Sequence, residues 1–195
     1  MGRKVRVERQ TQETRVSVEL NLDGRGEYQV RTSIPFLDHM VSLMAKHGLF
    51  DLNIHAQGDL EVDLHHTVED VGIALGEAFD KALGEKMGIK RYGSALVPME
   101  EALASASVDL SGRPYLVYKV PPISGKVRDF DLDLGKEFFK AYSNQARCNL
   151  HLELRYGEDL HHCLEAIFKA VGMALDEACS VDERVKGVPS TKGKL

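Results

Sequence analysis

The chain has 195 residues, of which 43% are hydrophobic and 28% charged, and these proportions are typical of a soluble globular protein. The formal net charge is −5 and no cluster of lysine and arginine stands out, which argues against nucleic acid as a partner. No apolar run approaches the roughly 20 residues of a membrane span. Three cysteines without paired spacing favour reduced thiols and a cytoplasmic protein.

The first half of the chain shows alternating and helical apolar patterns that are separated by turns. Val16, Val18 and Leu20 alternate with polar residues, as in a strand with one buried face. Apolar residues between positions 36 and 47 recur at helical spacing, and Gly48 ends that pattern. The elements predicted in this half are, in chain order, strands 14–22 and 27–33, a helix 36–47, a strand 50–57 and a helix 65–86.

The second half repeats this order of elements. The predicted elements are strands 104–110 and 115–120, a helix 134–147, a strand 148–156 and a helix 160–180. Because each half has a half-apolar sheet and two amphipathic helices, the two halves must cover each other's apolar faces. We therefore expect a single α+β domain of two similar halves, about 1–92 and 93–183, with the helices packed between two sheets. Residues 184–195 are polar and basic and are interpreted as a tail or a binding segment.

The pattern His-His-x-x-Glu occurs twice, at residues 65–69 and 161–165, each time where the last predicted helix of a half begins. Residues four apart on a helix share a face, with Cβ atoms about 5–6 Å apart, so the first histidine and the glutamate can bind one metal ion. The middle histidine points about 100° away around the helix axis, toward a different ligand. A single copy could be an ordinary polar helix start, but two copies at equivalent places in a repeat indicate two metal ions.

Two further histidines complete the predicted ligand set. His39 lies at the start of the first predicted helix, and His151 lies on the strand face opposite the apolar residues. His47 and His55 are left out, since a lone histidine is more often an ordinary surface or core residue. Imidazole and carboxylate ligands suit manganese, with zinc, iron and cobalt as alternatives. The predicted metal ligands are His39, His65, His66, Glu69, His151, His161, His162 and Glu165.

Five segments of the chain resemble one enzyme family. These segments are Phe36-Leu37-Asp38-His39-Met40, Gly58-Asp59-Leu60 running into His65-His66-Thr67-Val68-Glu69-Asp70, Ser111-Gly112-Arg113-Pro114, Phe168-Lys169-Ala170 and Pro189-Ser190-Thr191-Lys192-Gly193. They are similar to the imidazoleglycerol-phosphate dehydratases, and the resemblance extends from about residue 9 to the last residue. Several of the motifs are specific to that family.

The resemblance implies a hydro-lyase of histidine biosynthesis that converts imidazoleglycerol phosphate to imidazole acetol phosphate and water. It also implies two manganese ions per active site, bound by the predicted ligands, and a homo-oligomer of 24 subunits with sites at subunit contacts. The proton to be removed is not next to a carbonyl group and is therefore not acidic. If both ring nitrogens of the substrate bind metal ions, the ring becomes an imidazolate that can expel the neighbouring hydroxyl group.

The resemblance also implies roles for five residues outside the metal set. Glu13 matches a family glutamate that contacts the substrate, and we expect it to act as an acid/base group. Four residues match positions that bind the substrate phosphate, which arginine grips bidentately. These are Arg91, Arg113, Ser190 and Lys192, of which the last two lie in the tail; without the resemblance each would be interpreted as a surface residue.

The chain departs from the common pattern of the family at two positions near the predicted site. Many members have glutamine where Leu43 stands, so one polar contact near the substrate is missing. Many have asparagine where Asp159 precedes the second histidine pair, and this difference places a charge near a metal site.

Two other functions remain open at the level of sequence. A dinuclear metal-dependent hydrolase would cleave the phosphate with a metal-bound water as nucleophile, and it would release free phosphate rather than a phosphorylated ketone. A metal-storage or metal-sensing shell would bind metal without turnover and would not need Arg91, Arg113 or Lys192. The joint match of metal and phosphate positions favours the dehydratase.

Overall fold

The computed structural model describes residues 2–122 and 125–195, and in these ranges the chain forms eight strands and four helices. None of these helices combines the length and the apolar character needed to cross a membrane. The strands are β1 (Lys4–Gln10), β2 (Thr14–Asn21), β3 (Tyr28–Arg31), β4 (Asp51–Gly58), β5 (Tyr92–Met99), β6 (Ala102–Asp109), β7 (Tyr115–Lys119) and β8 (Asn149–Tyr156). The helices are α1 (Pro35–His47), α2 (His65–Leu83), α3 (Leu132–Gln145) and α4 (Leu160–Cys179).

The strands form two four-stranded sheets of identical topology. Sheet 1 has the order β1-β2-β4-β3 and sheet 2 the order β5-β6-β8-β7. In each sheet the first three strands of that order are antiparallel, and the last pairs in parallel with its neighbour. The α+β fold of two similar halves is therefore confirmed.

Each half begins with a strand that the sequence patterns did not predict. Strands β1 and β5 are edge strands, so each pairs with only one neighbour. Only Val7 of β1 is fully buried, while β5 contains Gly93 and Pro98, which are disfavoured in strands. Because these two strands bury few apolar side chains, their apolar alternation is weak. The repeated unit is thus strand-strand-strand-helix-strand-helix.

The helices lie between the sheets, with α2 packed on sheet 1 and α3, and α4 packed on sheet 2 and α1. Glycines allow the helix pairs to approach closely. A Cβ atom at Gly72 of α2 would lie 2.6 Å from the carbonyl oxygen of Phe138 in α3. One at Gly172 of α4 would lie 2.4 Å from the carbonyl oxygen of Met44 in α1. This packing brings the start of α1 to the start of α4, where His39 and the second histidine pair lie.

Candidate metal centre

Aspartate side chains hold the N-termini of both histidine-bearing helices. Asp159 is the N-cap of α4, and its Oδ1 accepts hydrogen bonds from the backbone N–H groups of His161 (2.8 Å) and His162 (3.1 Å). At the start of α2, Oδ1 of Asp63 accepts from the N–H of His65 at 2.7 Å. The departure from the family pattern at Asp159 therefore preserves a helix cap, a role that suits aspartate as well as asparagine.

Three predicted ligands from two helices meet at one point. Oε2 of Glu165 lies 3.2 Å from Nε2 of His161 and 3.6 Å from Nε2 of His39. One ligand atom from each of these residues lies within 4.8 Å of the others, and within the described ranges no other three such side chains are as close. Two imidazoles and a carboxylate are a ligand set that suits a borderline divalent ion. The residues present therefore fit a metal ion at this point.

Glu165 is held in its ionised form by a neighbouring lysine. Its residue surface is only 7% exposed, and Oε1 lies 2.6 Å from Nζ of Lys169 one turn along α4. Burial raises the pKa of Glu165, but the hydrogen bond and charge of Lys169, together with His39 and His161, lower the pKa below its ordinary value overall. The other oxygen, Oε2, faces the two histidines as an anionic group. Lys169 was not among the predicted site residues, although a glutamate–lysine pair four apart is visible in the sequence.

The first histidine motif is more open. Nε2 of His65 lies 4.0 Å from Oε2 of Glu69. Nδ1 of His66 lies 3.0 Å from Oδ2 of Asp59, and Nε2 of the same ring lies 3.8 Å from Oε1 of Glu13. The hydrogen bond with Asp59 and the charge of Glu13 raise the pKa of His66. This motif is thus surrounded by carboxylates.

The second histidine of the α4 motif has a carboxylate partner of its own. Nδ1 of His162 lies 2.7 Å from Oε2 of Glu101, in the turn between β5 and β6. Oε1 of Glu101 accepts hydrogen bonds from the backbone N–H groups of Asp159 (2.9 Å) and Glu158 (3.3 Å). The N–H of Asp159 and the bond to His162 lower the pKa of Glu101 to about 2, and Glu101 in turn raises the pKa of His162.

Sequence reasoning did not identify Asp59 or Glu101. Glu101 lies in the turn between the first two strands of its half, as Glu13 does in the other half. An alignment of the two halves would have paired these glutamates, but that alignment requires β1 and β5 to be recognised as strands.

His151 is not part of this cluster. It lies on the exposed face of sheet 2, where it pairs with Ser107 of β6 and Val117 of β7. A single chain therefore brings together His39, His161 and Glu165, whereas the other predicted ligands do not join them in a group of three. Those other ligands are His65, His66, Glu69, His151 and His162.

The predicted phosphate-binding residues lie around the tail. Arg91 donates from Nε and Nη2 to the Asp109 carboxylate at 2.7 and 3.1 Å, and from Nη1 to the carbonyl oxygen of Pro189 at 2.9 Å. This contact fixes the tail one residue before Ser190, whose Oγ accepts the backbone N–H of Lys192 at 3.2 Å. Arg91 has N–H donors beyond these three bonds, since a guanidinium group carries five.

Arg113 lies in the turn before β7 and its side chain is exposed to solvent. Its backbone carbonyl oxygen accepts a hydrogen bond from Nδ2 of Asn149 at 2.6 Å. The C-terminal residue lies close to this turn, because a Cβ atom at Gly112 would lie 2.6 Å from the carbonyl carbon of Leu195. The tail therefore runs from Arg91 toward Arg113.

Glu13 lies in a turn that is anchored to helix α2. Asp70, which is 5% exposed, accepts hydrogen bonds from Nε of Arg9 at 2.8 Å and from Oγ1 of Thr14. Arg9 and Thr14 flank the turn, while the Glu13 side chain itself remains 53% exposed. This network fixes the position of Glu13 beside the first histidine motif, and Asp70 was not predicted to have this role.

Comparison with known proteins identifies one family. Residues 32–175 match the family model described as imidazoleglycerol-phosphate dehydratase. The imidazoleglycerol-phosphate dehydratases of Pelobacter propionicus and Citrifermentans bemidjiense are 58% and 56% identical to this chain, and each match covers all of both sequences. The crystal structure of the Pyrococcus furiosus enzyme, in complex with (S)-C348, superposes with a TM-score of 0.83 at 38% identity, over 97% of this chain and 100% of that one.

Proposed function

This chain belongs to the imidazoleglycerol-phosphate dehydratase family, and we propose that it converts imidazoleglycerol phosphate to imidazole acetol phosphate and water in histidine biosynthesis. The observation that carries the proposal is the meeting of His39, His161 and Glu165 within 4.8 Å. A hydro-lyase whose substrate proton is not acidic needs an electrophile near the substrate ring, and this ligand set suits one. The chain is 56% and 58% identical over its full length to two relatives that bear the family name, and this similarity supports the same reaction.

The proposed cofactor is manganese, with two ions per active site. His39, His161 and Glu165 would contribute to one site, and the first histidine motif, His162 and His151 would supply the remaining ligands. When bound, divalent ions act as Lewis acids that lower the pKa of groups coordinated to them, such as an imidazole N–H. Lys169 keeps Glu165 ionised and so keeps its second oxygen available as a ligand.

Glu13 is the proposed acid/base residue. Its carboxylate is half exposed and lies 3.8 Å from the ring of His66, so a substrate placed against the first histidine motif would lie within its reach. The anchoring of its turn by Asp70 limits its movement relative to α2. A general base must lie within hydrogen-bond reach of the proton that it removes, and this anchor supports such a placement.

The tail and its neighbours would bind the substrate phosphate. Arg91 contacts the tail backbone at Pro189 and retains further donors, and Ser190 and Lys192 follow directly. Arg113 is exposed at the turn that the C-terminal residue approaches. Two guanidinium groups, an ammonium group and a hydroxyl group would together suit a dianionic phosphate.

The complete site would form at contacts between copies of the chain. Five predicted ligands remain apart from the cluster in one chain, and His151 faces outward from sheet 2. A second copy would therefore bring the missing ligands to each site. The resemblance to the family implies 24 subunits, and we propose a homo-oligomer of this kind in the cytoplasm.

Turnover of imidazoleglycerol phosphate by metal-stripped protein, with and without added manganese, tests the proposed function. We expect ketone formation only after manganese is restored, with the phosphate retained on the product. Release of free phosphate would instead identify a phosphate hydrolase. Rebound manganese without either product would mean that the protein keeps the metal site without the proposed chemistry.

A further inference from the structure

We propose that Asp59 and Glu101 are positioning residues that orient His66 and His162, each by accepting the N–H at Nδ1 so that Nε2 is free to bind a metal ion. This inference rests on the proposed function, because it assumes that the two histidines are metal ligands. It extends that function by assigning a role to two carboxylates that are not themselves among the proposed ligands.

The tautomer of each ring follows from the chemistry of its partner. A neutral imidazole carries one N–H and one lone pair, and an ionised carboxylate can only accept a hydrogen bond. Oε2 of Glu101 lies 2.7 Å from Nδ1 of His162, so the ring proton belongs on Nδ1 and the lone pair on Nε2. Metal-binding histidines commonly use such a carboxylate partner, which fixes both the tautomer and the ring orientation.

The same arrangement occurs in the first half with a different carboxylate. Both carboxylate oxygens of Asp59 approach Nδ1 of His66, at 3.0 and 3.3 Å. The lone pair of His66 is therefore left on Nε2, which points toward Glu13 at 3.8 Å.

The two halves reach this arrangement with residues from different elements. The two glycines at the ends of β4 and β8 are equivalent, since a Cβ atom at Gly58 would meet the Thr67 side chain and one at Gly157 would lie 2.5 Å from Sγ of Cys163. The position equivalent to Asp59 is therefore Glu158, whose backbone N–H donates to Glu101. The carboxylate at Nδ1 of His162 comes instead from Glu101, in the turn between β5 and β6. The corresponding turn of the first half carries Glu13, which contacts Nε2 rather than Nδ1. Since the halves differ in residue but agree in geometry, the carboxylate at Nδ1 is the retained feature.

Glu101 is fixed so that only one of its oxygens can face His162. Its Oε1 accepts the backbone N–H groups of Asp159 and Glu158, which leaves Oε2 directed at the ring. In Glu101→Gln the amide oxygen must stay with those two donors, so the NH₂ group would face Nδ1. The histidine would then accept at Nδ1 and carry its proton on Nε2, where it blocks metal binding. Glu101→Ala removes the partner without imposing this wrong tautomer.

The orientation of the Asp59 side chain, unlike that of Glu101, is not fixed by backbone donors. Neither of its side-chain oxygens accepts a backbone N–H from another residue within the described ranges, so an amide at this position can rotate. Asp59→Asn can present its oxygen to Nδ1 of His66 and preserve the tautomer, whereas Asp59→Ala cannot. We therefore expect the alanine variant to bind manganese more tightly than the amide variant at position 101, and the amide variant to bind more tightly than the alanine variant at position 59.

Manganese affinity of the full-length oligomer, measured by electron paramagnetic resonance of the free ion, tests the proposal. We expect Kd to rise about 10–100-fold in Glu101→Gln, the range for loss of a ligand's hydrogen-bond partner, and less in Glu101→Ala. Asp59→Ala should weaken binding more than Asp59→Asn. Glu100→Gln and Glu61→Gln are the matched controls, since each removes a charge from the same turn or loop without removing a hydrogen bond to a histidine, and their Kd should equal that of the wild type.

Two results would overturn the inference while leaving the proposed function intact. One is wild-type manganese affinity in Glu101→Gln. The other is an alanine variant of Glu101 that binds no better than the glutamine variant, which would indicate a packing role, since glutamine keeps the shape and the backbone hydrogen bonds. Failure of the wild-type protein itself to bind manganese would overturn the proposed function and this inference together.

Discussion

Nε2 of His39 on helix α1 lies 3.6 Å from Oε2 of Glu165 on helix α4, although the two residues belong to different halves of the duplicated fold. The contact exists because Gly172 allows α1 and α4 to approach closely behind it. The candidate metal position is therefore shared between the halves, and its geometry depends on the packing of both.

Removal of His39 should abolish one metal position and leave the fold intact. We expect His39→Ala to lose about half of the bound manganese and most of the activity, because two ligands remain where the intact chain offers three. His47→Ala, on the same helix and exposed, is the control and should keep the wild-type metal content. Metal analysis of the purified variants gives the answer, and an unchanged metal content in His39→Ala would contradict the assignment.

Loss of Asp70 should reduce both stability and turnover. Asp70→Ala leaves Arg9 and Thr14 without their acceptor, which costs about 1–3 kcal/mol, and it releases the turn that carries Glu13. Urea unfolding should show this loss, whereas Glu77→Ala, which breaks an exposed pair with Lys81 on the same helix, should change stability by less than about 1 kcal/mol.

A double-mutant cycle separates the effect of Asp70 on Glu13 from its effect on stability. If Asp70 acts through Glu13, the decrease in kcat from Asp70→Ala should largely disappear in a Glu13→Gln background. Equal decreases in both backgrounds would show that Asp70 affects activity by another route.

In the metal-free protein, the ion pair between Glu101 and His162 should stabilise the fold most in mildly acidic solution. The pKa of Glu101 is lowered from 4.5 to about 2, so its contribution is complete above pH 4.5 and is lost as the pH falls toward 2. The pKa of His162 is raised from 6.5, so its contribution is complete below pH 6.5 and is lost as the pH rises through the raised value. Both conditions hold between pH 4.5 and 6.5.

Thermal unfolding of the metal-free wild type and of Glu101→Gln across this range tests the prediction. The difference in Tm should be largest between pH 4.5 and 6.5 and should shrink on either side. Glu100→Gln should show no such maximum. A difference that is constant with pH would mean that the pair is not ionised in the folded protein.

The elements with strong apolar patterns could be predicted from sequence, and those whose structure depends on neighbours could not. Strands β2 and β4 alternate because one face packs on helices, whereas β1 fully buries only Val7, and β5 contains Gly93 and Pro98, so neither shows a clear pattern. Helix α2 ends at Leu83 rather than at residue 86, since Gly84 adopts a positive φ of 54°.

Some residues of the candidate site could likewise be predicted from sequence, and others could not. The histidine–glutamate motifs could be identified because their ligands share one helix face. The contact between His39 and Glu165 is set by helix packing, which spacing along the chain does not reveal. Asp59, Glu101 and Asp70 were missed because a carboxylate in a turn or a helix is common, and only its distance to a histidine or to an anchored turn distinguishes it.

The three cysteines should be unreactive in the folded protein. Burial raises the pKa of Cys148 and Cys179 to about 12 and that of Cys163 to about 11, so the reactive thiolate is scarce at neutral pH. Iodoacetamide at pH 7.5 should therefore label none of them until denaturant is added, when all three should react. Mass spectrometry gives the count, and rapid labelling of the native protein at any of the three would contradict their burial.

Metal removal should change the size of the particle as well as its activity. If His151 and the first histidine motif reach their ions across subunit contacts, manganese joins subunits, and chelation should favour smaller species. Light scattering coupled to size-exclusion chromatography should show a decrease in mass after chelation and recovery when manganese is returned. His151→Ala should stay small even with manganese, whereas His55→Ala, on the exposed face of sheet 1, should assemble as the wild type does. A chelated protein that keeps its full mass would show that the subunit contacts do not depend on the metal, and that ligands from other copies are not needed to hold the assembly together.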